Sequence, residues 1–170
     1  LRCTGCVCAK TMIDQLIGNY RIVRLLGQGG MGQVFEAVHE QIQRRAAIKI
    51  LNPEFSSDAE VVKRFFNEAL AVNVVQHPSI VGVFESGQLP TGSAFIVMEY
   101  LEGTSLASQL KAAALSEREA LQLTRQLASA LAATHAKDIV HRDLKPDNVM
   151  LVKDPEVPGG RRAKLLDFGI

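Results

Sequence analysis

The segment His141-Arg142-Asp143-Leu144-Lys145-Pro146-Asp147-Asn148 crowds ionisable and amide side chains between two apolar runs. The mix is chemically coherent. A carboxylate can accept a hydroxyl proton, a lysine can neutralise a transferring phosphoryl group, and an amide oxygen can hold a hard cation. Asp167, in Leu165-Leu166-Asp167-Phe168-Gly169-Ile170, adds a second carboxylate. An aspartate directly after apolar strand residues is costly unless ionised and paired, so a metal partner fits it. Taken singly, each feature has a plain structural reading: a charged surface loop, and a turn aspartate before Gly169.

Lys49 stands inside the apolar run Ala46-Ala47-Ile48-Lys49-Ile50. It reads either as an edge lysine whose stem snorkels or as a cation held against phosphate oxygens. A buried ammonium needs a counter-charge. Glu68, among Phe65, Phe66 and Ala69, is the candidate, with Lys63 and Arg64 facing solvent.

Upstream lies Gly27-Gln28-Gly29-Gly30-Met31-Gly32. A dinucleotide fold would follow it with a helix, and an acidic residue would sit on a strand end about twenty residues on. Here a second strand follows, and Lys49 occupies that region. A P-loop would continue Gly-Lys-Ser/Thr, whereas Gln33-Val34 follows Gly32. What remains is a hairpin, either purely structural or folded over a nucleotide, and the glycines alone leave both open.

The elements that must position these groups follow from periodicity. Tyr20 to Leu26 reads as a strand. Gly27 to Gly32 reads as irregular, because four glycines carry much backbone entropy. Gln33 to Glu40 fits a strand or a short helix, and Arg44 to Leu51 a strand, giving an antiparallel meander. Helical period takes over near Ser57 or Asp58, with Val62, Phe65, Phe66, Ala69 and Val72 on one face, and ends before Pro78. Two more strands flank a turn at Gly87 to Gly92. Beyond Gly103 come a short helix and a long one opened by the capping box Ser116-x-x-Glu119, with Leu123, Leu127, Ala130, Leu131 and Thr134 facing one way. Lys153 to Lys164 reads as a loop from its Pro, Gly and charge content.

The chain has 170 residues, 47% hydrophobic and 22% charged, with 19 basic and 18 acidic residues. It can build a core, and its near-neutral balance argues against bulk nucleic-acid or anionic-membrane binding. No apolar run approaches the roughly 18 residues of a membrane span, and no secretory h-region opens the chain. Cys3, Cys6 and Cys8 are the cysteines. Cys3-x-x-Cys6 has zinc-knuckle spacing, but a tetrahedral site needs further ligands that are not nearby, so reduced cytoplasmic thiols are expected.

In order along the chain, the motifs resemble those of the protein kinases. They are G-x-G-x-x-G-x-V at Gly27 to Val34, A-I-K at Ala47 to Lys49, H-R-D-L-K-P-x-N at His141 to Asn148, and D-F-G at Asp167 to Gly169. Glu68 falls 19 residues after Lys49 on the expected helix. The runs HPSIV, IVMEYLEG and LLDFGI look most like bacterial eukaryotic-like (Hanks-type) enzymes, and Lys145 like the Ser/Thr branch. The resemblance implies an α+β, protein-kinase-like bilobal fold. It would comprise a tail over 1–17, a small antiparallel β lobe with one helix over 18–98, a hinge over 99–103, and a partial, mainly helical lobe over 104–170. It further implies ATP, Mg²⁺ (or Mn²⁺ in its place) and a protein substrate with Ser/Thr hydroxyls.

By resemblance, Gly27, Gln28, Gly29, Gly30 and Gly32 cover the phosphates, and Lys49 holds them, oriented by Glu68. Val34, Ala47 and Met150 sandwich adenine, with Met98 as gatekeeper behind it. The Glu99 C=O and Leu101 N–H meet its edge. Asp143 accepts or orients the hydroxyl, Lys145 sits on the γ-phosphate, and Asn148 and Asp167 hold Mg²⁺. Val72, His141 and Phe168 belong to a packing column, and Arg142 would pair with an activation-loop phosphate. Lys153–Lys164 looks like a surface insertion. Because the chain stops at Ile170, the piece alone is expected to be unstable and inactive. Two other readings stay open: a nucleotide-binding pseudokinase, and an interaction module using the cysteines.

Overall fold

The computed structural model describes residues 12–168. Cys3, Cys6, Cys8 and Gly169 lie outside them. The chain divides into two compact units. One holds the described residues up to Ala69 together with Val83–Tyr100; the other holds Leu70–Gly82 and the described residues from Leu101.

The first unit is a six-stranded antiparallel sheet: β1 Leu16–Ile17, β2 Tyr20–Gln28, β3 Gly32–His39, β4 Arg45–Leu51, β5 Val83–Gln88 and β6 Ala94–Glu99, in the order β1-β2-β3-β4-β6-β5. Side chains alternate across a strand, so the register sorts them by face. Phe35 pairs with Ile48, Ile48 with Val97, and Ile50 with Phe95. These residues, with Ile22, Ala37 and Ala46, form one buried core. The opposite face takes helix α1, Ala59–Val74, whose Val61, Phe65 and Ala69 pack on Leu51, Ala94 and Ile96. Asp58 starts α1 by accepting from the N–H groups of Glu60 (3.0 Å) and Val61 (3.2 Å).

The second unit has a three-stranded sheet of β7 Gly103–Ser105, β8 Val149–Lys153 and β9 Arg161–Leu165, with helices α2 Leu106–Ala112 and α3 Glu117–His135. The Ser116 hydroxyl accepts from Glu119 N–H while the Glu119 carboxylate accepts from Ser116 N–H, the expected capping box. Leu123, Ala130 and Thr134 are the buried residues of α3. Gln126 ties α3 to β9 from both ends of its amide, donating to Arg161 C=O (3.1 Å) and accepting from Ala163 N–H (2.8 Å).

Three expectations need correction. The tail does not extend to residue 17. Met12 and Ile17 are buried at 6% and 2% exposure, and Leu16 pairs with Arg21. A two-residue strand carries no periodic signal. Gly27 to Gly32 is not wholly irregular either. Gly27 pairs with Val34 and Gln28 with Gln33, because flanking ladder bonds outweigh glycine's entropy. Finally, the expected loop Lys153–Lys164 contains β9. Its charges hid the strand, and each has a partner: Arg161 at Glu119, Arg162 at Asp154, and Lys164 Nζ at Ile80 C=O (3.4 Å). The true connection is 154–160, turned by Gly159 and Gly160 at φ 85° and 65°.

Ser116→Ala removes one half of the capping box and is expected to cost about 1 kcal/mol. Urea denaturation measures it, and an unchanged midpoint would show that the cap contributes nothing.

Candidate active site

In the first unit the register gathers one set of candidates. Val34 pairs with Lys49, Lys49 with Ile96, and Ala47 with Met98. All therefore share the face that receives α1. Lys49 Nζ lies 3.1 Å and 3.3 Å from the two Glu68 carboxylate oxygens. Their side chains are only 15% and 16% exposed. The ammonium also lies 5.9 Å from the Phe65 ring centroid, a further favourable contact. Glu99 ends β6 opposite Ala46, and Leu101 is half-buried in the second unit.

The glycine hairpin is closed by Gly29 N–H to Gly32 C=O at 2.9 Å. Asn52 anchors its tip, donating from its backbone to Met31 C=O (2.9 Å) and from its amide to Gly30 C=O (3.2 Å). Sequence reading passed over Asn52, since a lone Asn after a strand looks like a turn residue. The glycines differ in what they are for. A Cβ on Gly32 would run into the Ile50 carbonyl oxygen, so the β3–β4 approach requires glycine there. Gly27, Gly29 and Gly30 have open space around a would-be Cβ, and none has positive φ. The fold itself makes no demand for glycine at these three.

Glu36 was also missed. It pairs with Ala47, on the Val34 and Lys49 face, and its side chain is 8% exposed. It accepts from Arg24 (2.7 Å) and Arg45 (2.8 Å). Arg45 lies over the Tyr100 ring at 3.9 Å, and Arg24 donates to the Tyr100 hydroxyl at 3.3 Å. This cluster fixes Tyr100 directly after Glu99. The visible clue was an acid at an inward position of an apolar strand.

In the second unit the polar loop folds around Asp143. Its Oδ2 accepts from Lys145 Nζ (2.7 Å) and from Asn148 Nδ2 (2.9 Å). Asn148, 9% exposed in the short 3₁₀ turn Pro146–Asn148, also donates to Asp143 C=O at 3.0 Å. The Lys145 hydrogen bond, helped by Asn148 and opposed by desolvation, holds the Asp143 carboxyl below its ordinary range. Reciprocally, Asp143 raises Lys145, and the charges of Asp147 and Asp167 add to it. The site thus presents an ionised acceptor beside a charged donor.

His141 is 2% exposed, and its Nε2 donates to Leu166 C=O at 2.9 Å. Its ring lies 4.7 Å from that of Phe168, also 2% exposed, at a tilt of 36°. Leu166 N–H in turn donates to Asn148 C=O at 2.9 Å. The segment before Phe168 is therefore pinned to the catalytic-type loop. Arg142 and Asp167 have φ of 60° and 32°, which for non-glycine residues costs on the order of 1–3 kcal/mol each and marks over-determined positions. Val72 is buried on α1, and Met150 lies half-buried on β8 opposite Lys164.

The Asn148 and Asp167 oxygens suit a hard cation. The Asn148 NH₂ is committed to Asp143, so only its carbonyl oxygen could serve a cation. Among the described residues no cluster of three or more His, Cys, Asp or Glu side chains exists. An ion here would complete its shell from phosphate and water oxygens, the usual habit of Mg²⁺.

Comparison with known proteins settles the family. The protein kinase domain family matches residues 20–170. The chain belongs to the protein kinases. It is 41% identical over 159 residues to serine/threonine-protein kinase pkn2 of Myxococcus xanthus, covering 92% of this chain and 19% of that protein. It is 42% identical over 160 residues to PknA of Mycobacterium tuberculosis, covering 91% and 36%. The solved Mycobacterium tuberculosis PknI kinase domain superposes with a TM-score of 0.75 at 31% identity, over 92% of this chain and 62% of that one. The chain thus spans a fifth to about a third of these curated relatives and about three fifths of the solved kinase domain. These relatives place it with the bacterial Hanks-type Ser/Thr kinases and give it the α+β kinase fold. Among the described residues no helix is long and apolar enough to cross a membrane.

Two measurements test the geometry. Lys145→Ala should raise the Asp143 pKa toward the ordinary carboxylate value, read by carboxyl ¹³C NMR titration; an unmoved midpoint would remove Lys145 as its cause. Gly32→Ala should destabilise by about 1–3 kcal/mol through the clash with Ile50, whereas Gly29→Ala should leave the urea midpoint nearly unchanged. Equal effects would contradict the division of roles among the glycines.

Proposed function

We propose that this chain carries the nucleotide-holding and catalytic-loop residues of an enzyme that transfers the γ-phosphoryl group of ATP to Ser or Thr hydroxyls of proteins. The observation that carries the reading is the Asp143–Lys145–Asn148 knot, in which an ionised carboxylate is oriented by a cation and an amide. In this reading the backbone N–H groups from Gly27 to Gly32 cover the phosphates. Lys49, oriented by Glu68, holds the α- and β-phosphates. Val34, Ala47 and Met150 take the adenine ring, Met98 closes the pocket behind it, and the Glu99 C=O and Leu101 N–H meet its edge.

Asp143 orients the substrate hydroxyl and accepts its proton as the hydroxyl oxygen bonds to phosphorus and the ADP oxygen leaves. Lys145 exchanges its carboxylate partner for the γ-phosphoryl oxygens, where charge spreads in the transition state. Mg²⁺, or Mn²⁺ in its place, supplies charge neutralisation on the phosphates when held by Asn148 and Asp167. Arg142 offers a guanidinium to an activation-loop phosphate. The presence of Lys49, Glu68, Asp143, Asn148 and Asp167 together favours catalysis over a pseudokinase role.

The test is transfer from γ-labelled ATP by the full-length protein. Asp143→Asn should lower the rate roughly 10²–10⁴-fold with nucleotide binding retained, and Lys49→Met should abolish productive phosphate alignment. Undiminished transfer in both would overturn these roles. Nucleotide binding by the wild type without transfer to any Ser/Thr substrate would favour the pseudokinase.

A further inference from the structure

The 154–160 connection, which the kinase motifs do not use, closes one side of a cavity of about 400 Å³ in the second unit through Val157 and Pro158. Helix α3, the His77–Ser79 segment and β9 form the other walls. Its ionisable lining is basic: His77, Arg125 and Arg162, with no carboxylate among the described residues.

The hydrogen bonding leaves donors directed at this space. Arg125 has no ion-pair partner among the described residues. Arg162 engages Asp154 through Nε, with only 16% of its side chain exposed, so its terminal NH₂ groups are held in a fixed frame. His77 Nδ1 accepts from Ser79 N–H at 3.0 Å, which places the ring proton on Nε2, 3.1 Å from Ser129 Oγ. Burial and the nearby charges of Arg162 and Lys164 keep His77 below its ordinary pKa, in keeping with that neutral tautomer. Ser129 therefore accepts from His77 and has its own hydrogen to donate. The Gln126 amide is spent at both ends on β9 and competes for nothing.

The Arg125 guanidinium, the terminal NH₂ groups that Arg162 keeps beside its Asp154 ion pair, and a hydroxyl donor match an oxyanion of phosphate geometry. The volume exceeds a phosphate group and lies in the range of small-ligand sites. We propose that this cavity is a phosphate-binding subsite, separate from the nucleotide-holding residues, that takes a phosphate monoester. Two sources share that chemistry: a phosphorylated Ser or Thr side chain of a protein segment, and a free phosphate.

The experiment is isothermal titration of the full-length protein at constant ionic strength. The probes are inorganic phosphate, a phosphoserine peptide and its unphosphorylated counterpart. Saturable binding of phosphate or phosphopeptide is expected. Arg125→Ala should weaken it roughly tenfold, a loss of about 1.4 kcal/mol. Lys111→Ala, which removes an exposed cation on α2 outside the cavity, should leave it unchanged. Lys49→Met should also leave it unchanged, separating this site from the glycine hairpin. Tighter binding of the phosphopeptide assigns a protein source, and equal or tighter binding of inorganic phosphate assigns a free one. The proposal is overturned if neither probe saturates, if the unphosphorylated peptide binds equally, if Lys111→Ala weakens binding as much as Arg125→Ala, or if Lys49→Met abolishes it.

Discussion

A one-residue slip between β3 and β4 would turn Lys49 away from α1 and into the core that holds Phe35 and Ile48. Side chains alternate with period two, so register is the constraint on which the first unit depends. It is fixed from the apolar side, where Phe35, Ile48 and Val97 are fully buried in adjacent strands. The polar consequence follows at no further cost. Once that core is in place, Val34, Ala47, Lys49 and Met98 must appear together on the other face, and Lys49 must meet whatever α1 presents. Helix α1 presents Glu68 because Phe65 and Ala69, three positions before and one after it, are buried against the sheet. Hydrophobic packing thus positions the ion pair.

The second unit works by the opposite means. Its critical segment has little regular structure, and hydrogen bonds define it. Asn148 clasps Asp143 twice, and its own carbonyl receives Leu166 N–H, whose carbonyl receives His141. This closed circuit holds Arg142 and Asp167 at positive φ, where neither would rest alone. Among the described residues no group hydrogen-bonds the buried His141 Nδ1, an uncommon arrangement in a native structure. Its ring packs against Phe168, and both side chains are almost fully removed from water.

The elements with sustained period were legible in the sequence: β2 and β4, α1 with its apolar face, and α3 with its capping box; the β3 stretch, with imperfect alternation, fitted a short helix as well as the strand it forms. The site motifs were legible because their spacing is rigid. Besides Asn52, which looks like a turn residue, what escaped had one of two causes. β1 is too short to show a period, and its burial rests on two residues, Met12 and Ile17. β9 and Glu36 were hidden by charge. Arg161, Arg162 and Lys164 look like loop residues until Glu119, Asp154 and the Ile80 carbonyl are seen beside them, and those partners lie 42, 8 and 84 residues away. Local reading prices a charge as solvated; only tertiary structure reveals that it is paired.

The two lysine–carboxylate pairs differ in a way that matters for chemistry. Lys49 and Glu68 are about 15% exposed, so loss of either leaves a largely desolvated charge, and the pair is a fixed part of the structure. Lys145 and Asp143 are 49% and 46% exposed, where solvent screens the attraction and the pair contributes little to stability. In the proposed reading, the cation that passes from a carboxylate to a transferring phosphoryl group needs a partner it can leave readily, whereas the cation that stays in register needs one it cannot. The burial of the first pair and the exposure of the second match those separate requirements, and Asp143 is tied to the fold less by Lys145 than by Asn148, whose amide holds both its carboxylate and its carbonyl.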